Sequence, residues 1–284
     1  MPSAKEIVLK PIDAKTANAA IKKWHYSGKV VNNSQFHIGA YLHGRLEGAM
    51  SFGPSLDKRK IMGLVESTGW NEFIELNRMA FSDVLPRNSE SRCISVAMRI
   101  LKTHASHLKW VISFADATQC GDGAIYRASG FVLTGIKRNN QIWEAPGGEI
   151  FNETSVKLGI GGERERERAK QVFSRTSLTD GRSKQQQQQA KMIVLQTTKE
   201  NKRKPSELDT GASSMAVYRQ AGWKPKTGFQ LRYLYFLDPT ARERLTVPIL
   251  PFSDITRYGA SMYKGKPSAG NIASDVPAIH AEKG

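Results

Sequence analysis

The stretch NSESRCISVAMRILKTHASHLKWVISFADATQCGDGAIYRASGFVLTGI, residues 88–136, decides the fold. Ile94, Ala97, Met98 and Leu101 recur at helical spacing, and Asn88 or Ser89 stands where an N-cap belongs. The spacing therefore predicts an amphipathic helix. Trp110 to Phe114 is a largely apolar run of strand length that ends at Ala115-Asp116. Gly123 to Ser129 reads as a short helix closed by Gly130, and Phe131 to Ile136 as the next strand. Helix, buried strand, helix and strand in close succession imply an α/β sheet.

Working outward, the N-terminal side extends the alternation. Ile7-Val8-Leu9 makes a short strand, and Ala17, Ala20, Ile21 and Trp24 give a helix over residues 14–24. His37 to Tyr41 and Leu46 to Phe52 read as two strands joined by the turn Leu42-His43-Gly44-Arg45. Glu72 to Phe81 is a longer strand whose apolar alternation is imperfect. On the C-terminal side the pattern degrades after Arg138. Glu163 to Arg168 alternates Glu with Arg, Gln185 to Gln189 is a glutamine run, and Lys202-Arg203-Lys204 is a basic cluster. Order is expected to return at Gln230 to Leu237. Val247 to Pro251 is an apolar extended segment able to cover a sheet edge. The expected organisation is a core over residues 1–138, a basic insertion over 139–229, a closing segment over 230–266 and a disordered tail over 267–284.

The whole chain of 284 residues carries a net charge of +16. Such an excess attracts polyanions, because each neutralised phosphate releases condensed counterions. Nucleic acid is the expected partner. No stretch approaches the ~20 apolar residues that span a bilayer, and the N-terminus lacks a signal-type apolar region, so a cytoplasmic protein is expected. Cys93 and Cys120, the two cysteines present, are too few for a disulfide framework or a CxxC metal site.

Several residues carry chemistry. His25, ending the first helix, suits a general base or a metal ligand, and equally a terminal imidazole stabilised by the helix dipole. Tyr26 beside it could stack on a base or seal the core. Asp116 follows a buried strand's carboxyl end, where α/β sheets open to ligands, and could equally cap the next segment. Tyr126 could point into the same cleft or sit in the core. Arg78 and Ser91 suit an anionic donor, with a strand-edge charge and a capping residue as the ordinary alternatives.

The element order resembles that of GNAT-type acyltransferases. In that family two neighbouring strands splay apart, the acyl carrier lies in the gap, and its phosphates sit on the next helix's amino end. The expected fold class is thus α/β (α+β), a GNAT-like mixed central sheet flanked by helices, with a long basic insertion. The loop Pro86-Arg87-Asn88-Ser89-Glu90-Ser91 stands at the carrier position without the family's glycine-rich sequence.

More specifically, five motifs in this order resemble the phage Mom family of DNA adenine-modifying proteins. They are Trp24-His25-Tyr26-Ser27-Gly28, Glu75-Leu76-Asn77-Arg78-Met79, Asn88-Ser89-Glu90-Ser91, Ser113-Phe114-Ala115-Asp116-Ala117 and Gly121-Asp122-Gly123-Ala124-Ile125-Tyr126. Arg232 to Leu237 is similar to the family's closing strand. The resemblance implies an enzyme that attaches a carbamoylmethyl (acetamido) group to adenine N6 in phage DNA, protecting it from host restriction in the host cytoplasm. It implies catalytic positions at His25, Tyr26, Asp116 and Tyr126, and donor-binding positions at Arg78, Asn88 and Ser91. It also implies double-stranded DNA as partner, and iron with its ligands unassigned. The atoms of the transferred group leave acetyl-coenzyme A or a glycyl compound as donor. Simple acyl transfer would attach the carbonyl and not the CH2 to N6, so a rearrangement or metal chemistry is expected. An ordinary N-acetyltransferase acting on a protein or small amine is the alternative.

Overall fold

The computed structural model describes residues 2–153, 171, 218–219, 222–263 and 266–267. After a 3-10 turn at Ala4–Glu6 come β1 (Val8–Pro11), α1 (Ala14–Trp24), β2 (Phe36–Leu42), β3 (Arg45–Gly53) and α2 (Lys58–Met62). Then come β4 (Phe73–Phe81), α3 (Ser89–His104), β5 (Trp110–Asp116), α4 (Ala117–Cys120), α5 (Ala124–Ala128) and β6 (Val132–Glu144). The described elements close with β7 (Ile150–Asn152), β8 (Lys224–Phe236), α6 (Pro239–Glu243), α7 (Ser253–Arg257), β9 (Met262–Tyr263) and β10 (Lys266–Pro267). The Glu-Arg, glutamine and Lys202–Lys204 tracts, and the tail from Ser268 on, lie outside the described residues.

The described chain forms two compact units. One holds residues 2–26, 30–137 and those from 229 on; the other holds 27–29 and the described part of 138–228. In the first unit the strand order is β1-β2-β3-β4-β5-β8-β6. Neighbours β1 to β4 are antiparallel, β4 and β5 are parallel, and β5 and β8 are antiparallel, so the sheet is mixed. Ile94, Ala97, Met98 and Leu101 of α3 pack on one face with Ile38, Met50, Phe52, Leu76 and Val111. Ala17, Ala20 and Ile21 of α1 meet Ala49 and Ala80 on the opposite face. A cluster of Leu64, Phe73, Trp110, Ile112, Leu234 and Ala241 extends that second face. Removing each large apolar side chain from water stabilises the fold by about 1.5–3 kcal/mol.

Two irregularities interrupt the sheet around β4. First, β4 and β5 pair only at Phe73↔Trp110, Ile74↔Val111 and Glu75↔Ile112, although both strands run on beyond that point. They splay. Second, the β3–β4 register jumps from Ser51↔Arg78 to Phe52↔Leu76, leaving Asn77 as an extra, bulged residue. Leu76 and Asn77 are both buried in consequence, which is why the apolar alternation of β4 is imperfect. Asn77 secures the bulge by accepting from Ser34 Oγ (3.0 Å) and donating from Nδ2 to the Pro54 carbonyl (3.4 Å).

Several sequence boundaries are corrected. The strand expected at Phe131 to Ile136 runs to Glu144, and the one expected from Gln230 begins at Lys224. Residues 137–141 are polar or charged and mostly exposed, so no apolar pattern announces that half of β6. The extended segment 247–251 does lie along the sheet, with Leu250 bridging to Leu133 of β6. In the second unit, the distal part of β6 pairs with β7 at Ile142↔Asn152. There Trp143 Nε1 donates to Glu153 Oε2 at 3.0 Å, and Phe151 lies 5.1 Å from Trp223, ring centre to ring centre.

Candidate active site

At the point where β4 and β5 part, a side chain replaces the missing backbone ladder. Ser113 Oγ lies 3.2 Å from the Leu76 carbonyl and 2.9 Å from the Tyr126 hydroxyl. A serine has one proton and a carbonyl only accepts, so Ser113 donates to Leu76 and Tyr126 donates to Ser113. Tyr126 is buried and stacks on Tyr233, ring centroids 5.1 Å apart. Burial pushes its phenol up to about 12. Tyr233 in turn fits because Gly123 carries no Cβ: one added there would stand 2.6 Å from the Tyr233 ring. Gly123 also holds a φ of 71°, in the left-handed region that glycine enters freely.

Four side chains gather at the open end. The backbone N–H of His25 closes α1 on the Ile21 carbonyl at 2.9 Å, which fixes the imidazole at the helix exit. Its ring lies 4.4 Å from that of Tyr26, tilted by 30°. The Tyr26 hydroxyl, on a side chain 53% exposed, donates to Asp116 Oδ2 at 3.3 Å. Asp116 Oδ1 accepts from the backbone N–H groups of Thr118 (3.1 Å) and Gln119 (3.3 Å), capping α4. The two readings of Asp116 are therefore compatible: one oxygen caps, the other faces Tyr26.

The electrostatics follow from burial. Desolvation, reinforced by the nearby positive charge of Arg78, lowers His25 to about 4, so the imidazole is neutral at neutral pH. Desolvation raises Asp116 against the pull of its N–H donors and of Tyr26. Glu75, the last residue of β4 to pair with β5, is raised by the same cause.

Arg78 is drawn to this group and not to the other expected donor-binding residues. Its Nη1 donates to the Asn77 carbonyl at 2.7 Å, and its charge acts on His25, Glu75 and Tyr126. Asn88 and Ser91 sit instead at the entry of α3. There a cleft of about 820 Å³ is lined by Lys5, Arg87, Asn88, Ser91 and Arg92, among others. Asn88 has a φ of 67°, and its side chain makes no capping bond. It makes the left-handed turn that a glycine would otherwise supply. Ser91 Oγ donates to the Asn88 carbonyl at 3.2 Å. Of the first-turn N–H groups, that of Ser89 donates to the Pro86 carbonyl at 3.2 Å, and Lys5 and Arg87 bring positive charge to the cleft.

The donor set does not fit iron as arranged. Arg78 sets a permanent positive charge beside His25, both Asp116 oxygens already accept hydrogen bonds, and Tyr126 is held by Ser113. Among the described residues, no three His, Cys, Asp or Glu side chains converge.

Sequence reasoning missed Glu75, Asn77, Ser113 and Ser55 as individual residues. For Glu75, Asn77 and Ser113 a weak signal was present, polar residues interrupting the apolar runs of β4 and β5; Ser55 lies in the loop between β3 and α2 and carried none. Ser55 is buried, its hydroxyl faces the Glu75 carboxyl, and no hydrogen bond closes on it.

Comparison with known proteins places this arrangement. The model of the Mom protein family matches residues 6–206. The methylcarbamoylase Mom of Escherichia phage Mu is 35% identical over 162 residues, covering 57% of this chain and 66% of that protein, just under two thirds of its length. Among solved structures, a GNAT family acetyltransferase from Elizabethkingia anophelis with acetyl-CoA bound matches at 17% identity and a TM-score of 0.35, over 47% of this chain and 81% of that one. The ribosomal-protein-S18-alanine N-acetyltransferase from Escherichia coli matches at 13% identity and a TM-score of 0.35, over 51% and 88%. Among the described residues no helix is long and apolar enough to cross a membrane. The family match spans most of the sequence, including every residue gathered at the splay, and the chain belongs to the Mom protein family.

Proposed function

We propose that this chain is a transferase that attaches a carbamoylmethyl (acetamido) group to N6 of adenine in double-stranded DNA, shielding phage DNA from restriction in the host cytoplasm. The observation that carries the reading is the gathering of His25, Tyr26, Arg78 and Asp116 where β4 and β5 part. The name of the phage Mu relative, a methylcarbamoylase, and the net charge of +16 support it.

Adenine N6 is a weak nucleophile inside the duplex, so the base must leave the stack to reach a recessed site. Tyr26, exposed and tilted over His25, offers a ring for the extruded base. The neutral His25 imidazole takes the N6 proton as N6 attacks the carbonyl of a glycyl donor and the carrier leaves with the bonding pair. The N6-glycyl amide so formed has the same atoms as the N6-carbamoylmethyl product, and an isomerisation that moves N6 from the carbonyl to the CH2 carbon completes the reaction. Arg78 stabilises negative charge growing on the donor's carbonyl oxygen. Asp116 holds Tyr26 in place through its Oδ2. Lys5, Arg87 and the α3 entry would hold a carrier's phosphates. Acetyl-coenzyme A supplies two carbons, whereas a glycyl donor supplies both carbons and the nitrogen; labelled glycine that fails to enter the modified base excludes the second.

The test is to express the protein, digest co-resident DNA to nucleosides and seek a modified deoxyadenosine by mass spectrometry. His25→Ala and Asp116→Ala should each lower the product by about 10²-fold or more, with circular dichroism unchanged. Unmodified DNA alongside an acetylated protein or amine would favour the ordinary N-acetyltransferase instead.

A further inference from the structure

The loop from β3 to α2 leaves the site and turns to solvent within three residues. Pro54 accepts from Asn77 Nδ2, and Ser55 is 4% exposed with its hydroxyl toward Glu75. The next side chain, Leu56, is 101% exposed. Asp57 then caps α2 by accepting from the Lys60 N–H at 3.4 Å. Leu56 is thus fixed on both sides by anchored backbone, yet its apolar side chain stands wholly in water. A lone exposed leucine is ordinary by itself. This one follows Ser55, which faces Glu75 where β4 and β5 part, and precedes by two residues the basic run Lys58-Arg59-Lys60. Exposed Trp70 flanks the run, its ring 4.5 Å from Lys58 Nζ.

From this juxtaposition we infer that Leu56 is a wedge that enters the DNA stack in the space left by the extruded adenine, while Arg59 and Lys60 grip the flanking phosphates. The inference rests on the reading that adenine in duplex DNA is the substrate. Extruding a base costs its stacking and pairing, and proteins that distort duplexes recover part of that cost by inserting apolar side chains between bases. A leucine that is wholly wet in the free protein gains the full burial term on insertion. That term corresponds to about a ten-fold or larger shift in the extruded population. The partner that suits the patch is a polyanion with an apolar interior, which is a DNA duplex.

The experiment uses the full chain and a duplex taken from a plasmid position that the wild-type protein modifies, with 2-aminopurine at the target. Wild-type protein should raise its fluorescence on binding. Leu56→Ala should bind within about two-fold of wild type, since wedge and phosphate grip are separate, and should lose about ten-fold of the extruded fraction. Placing an abasic site opposite the target removes the pairing cost and should restore the rise for Leu56→Ala. Because the Leu56 side chain is fully exposed in the free protein, its replacement leaves the fold unchanged. An equal rise for Leu56→Ala and wild type on the paired duplex overturns the wedge. Absence of modified adenine from every wild-type culture overturns the functional reading, and the wedge with it.

Discussion

Ser113 and Tyr126 show how much one hydroxyl can hold. Ser113→Ala would strand two buried polar groups, the Leu76 carbonyl and the Tyr126 phenol, at about 1–3 kcal/mol each. Tyr126→Phe removes a donor but leaves Ser113 bonded to Leu76, so it should cost only about 0.5–1.5 kcal/mol. Urea unfolding of the two variants should therefore rank Ser113→Ala as clearly the worse. His25 gives a second expectation. Its folded value, about 4, lies below the ordinary 6.5, so the unfolded chain holds the extra proton between those values. The stability His25 contributes is present above pH 6.5 and is lost as pH falls towards 4. Stability measured from about pH 7 to about pH 4.5 should fall less steeply in His25→Gln than in wild type. His25, Tyr26 and Asp116 could be read from sequence because each sits at an element's end, where a polar residue has a reason to stand out. Glu75 and Ser113 could not, because a polar residue inside a strand ordinarily signals the solvent face, and only the parting of β4 from β5 makes these two inward-facing.

At the scale of elements, the bulge at Asn77 depends on the absence of a side chain opposite. A Cβ on Gly53 would stand 2.7 Å from Asn77 Oδ1, 2.8 Å from the Ser34 Cα and 2.9 Å from the Asn33 carbonyl. Two of those neighbours are backbone and yield little. Gly53→Ala should cost about 1–3 kcal/mol and displace the loop that carries Ser55, a change visible as a lowered melting temperature together with reduced adenine modification. At the entry of α3, the left-handed Asn88 should accept glycine with little change, while Asn88→Val should lose about 1–2 kcal/mol. Helices α1 and α3 were legible because their apolar stripes are long enough to show the helical period. The five-residue helices α2, α6 and α7 were not, since a single turn presents no period to read.

Over the whole molecule, charge governs encounter. If duplex DNA is the partner, log affinity should fall linearly with log salt, by about 0.9 for every phosphate neutralised. Arg59→Ser should lower that slope by about one without altering which adenines are modified, as measured by titration at several salt concentrations and by nucleoside mapping. The first unit also has a polymer-physical consequence. Its chain departs at residue 137 along β6 and comes back at 229 along β8, and those strands are neighbours joined by Arg232 Nη2 to the Thr134 carbonyl at 2.8 Å. Exit and re-entry share one doorway. The closure entropy of whatever lies between grows only logarithmically with its length, so each doubling costs about 0.6 kcal/mol. Evolution can lengthen, trim or rewrite that excursion at almost no thermodynamic cost to the sheet it leaves from.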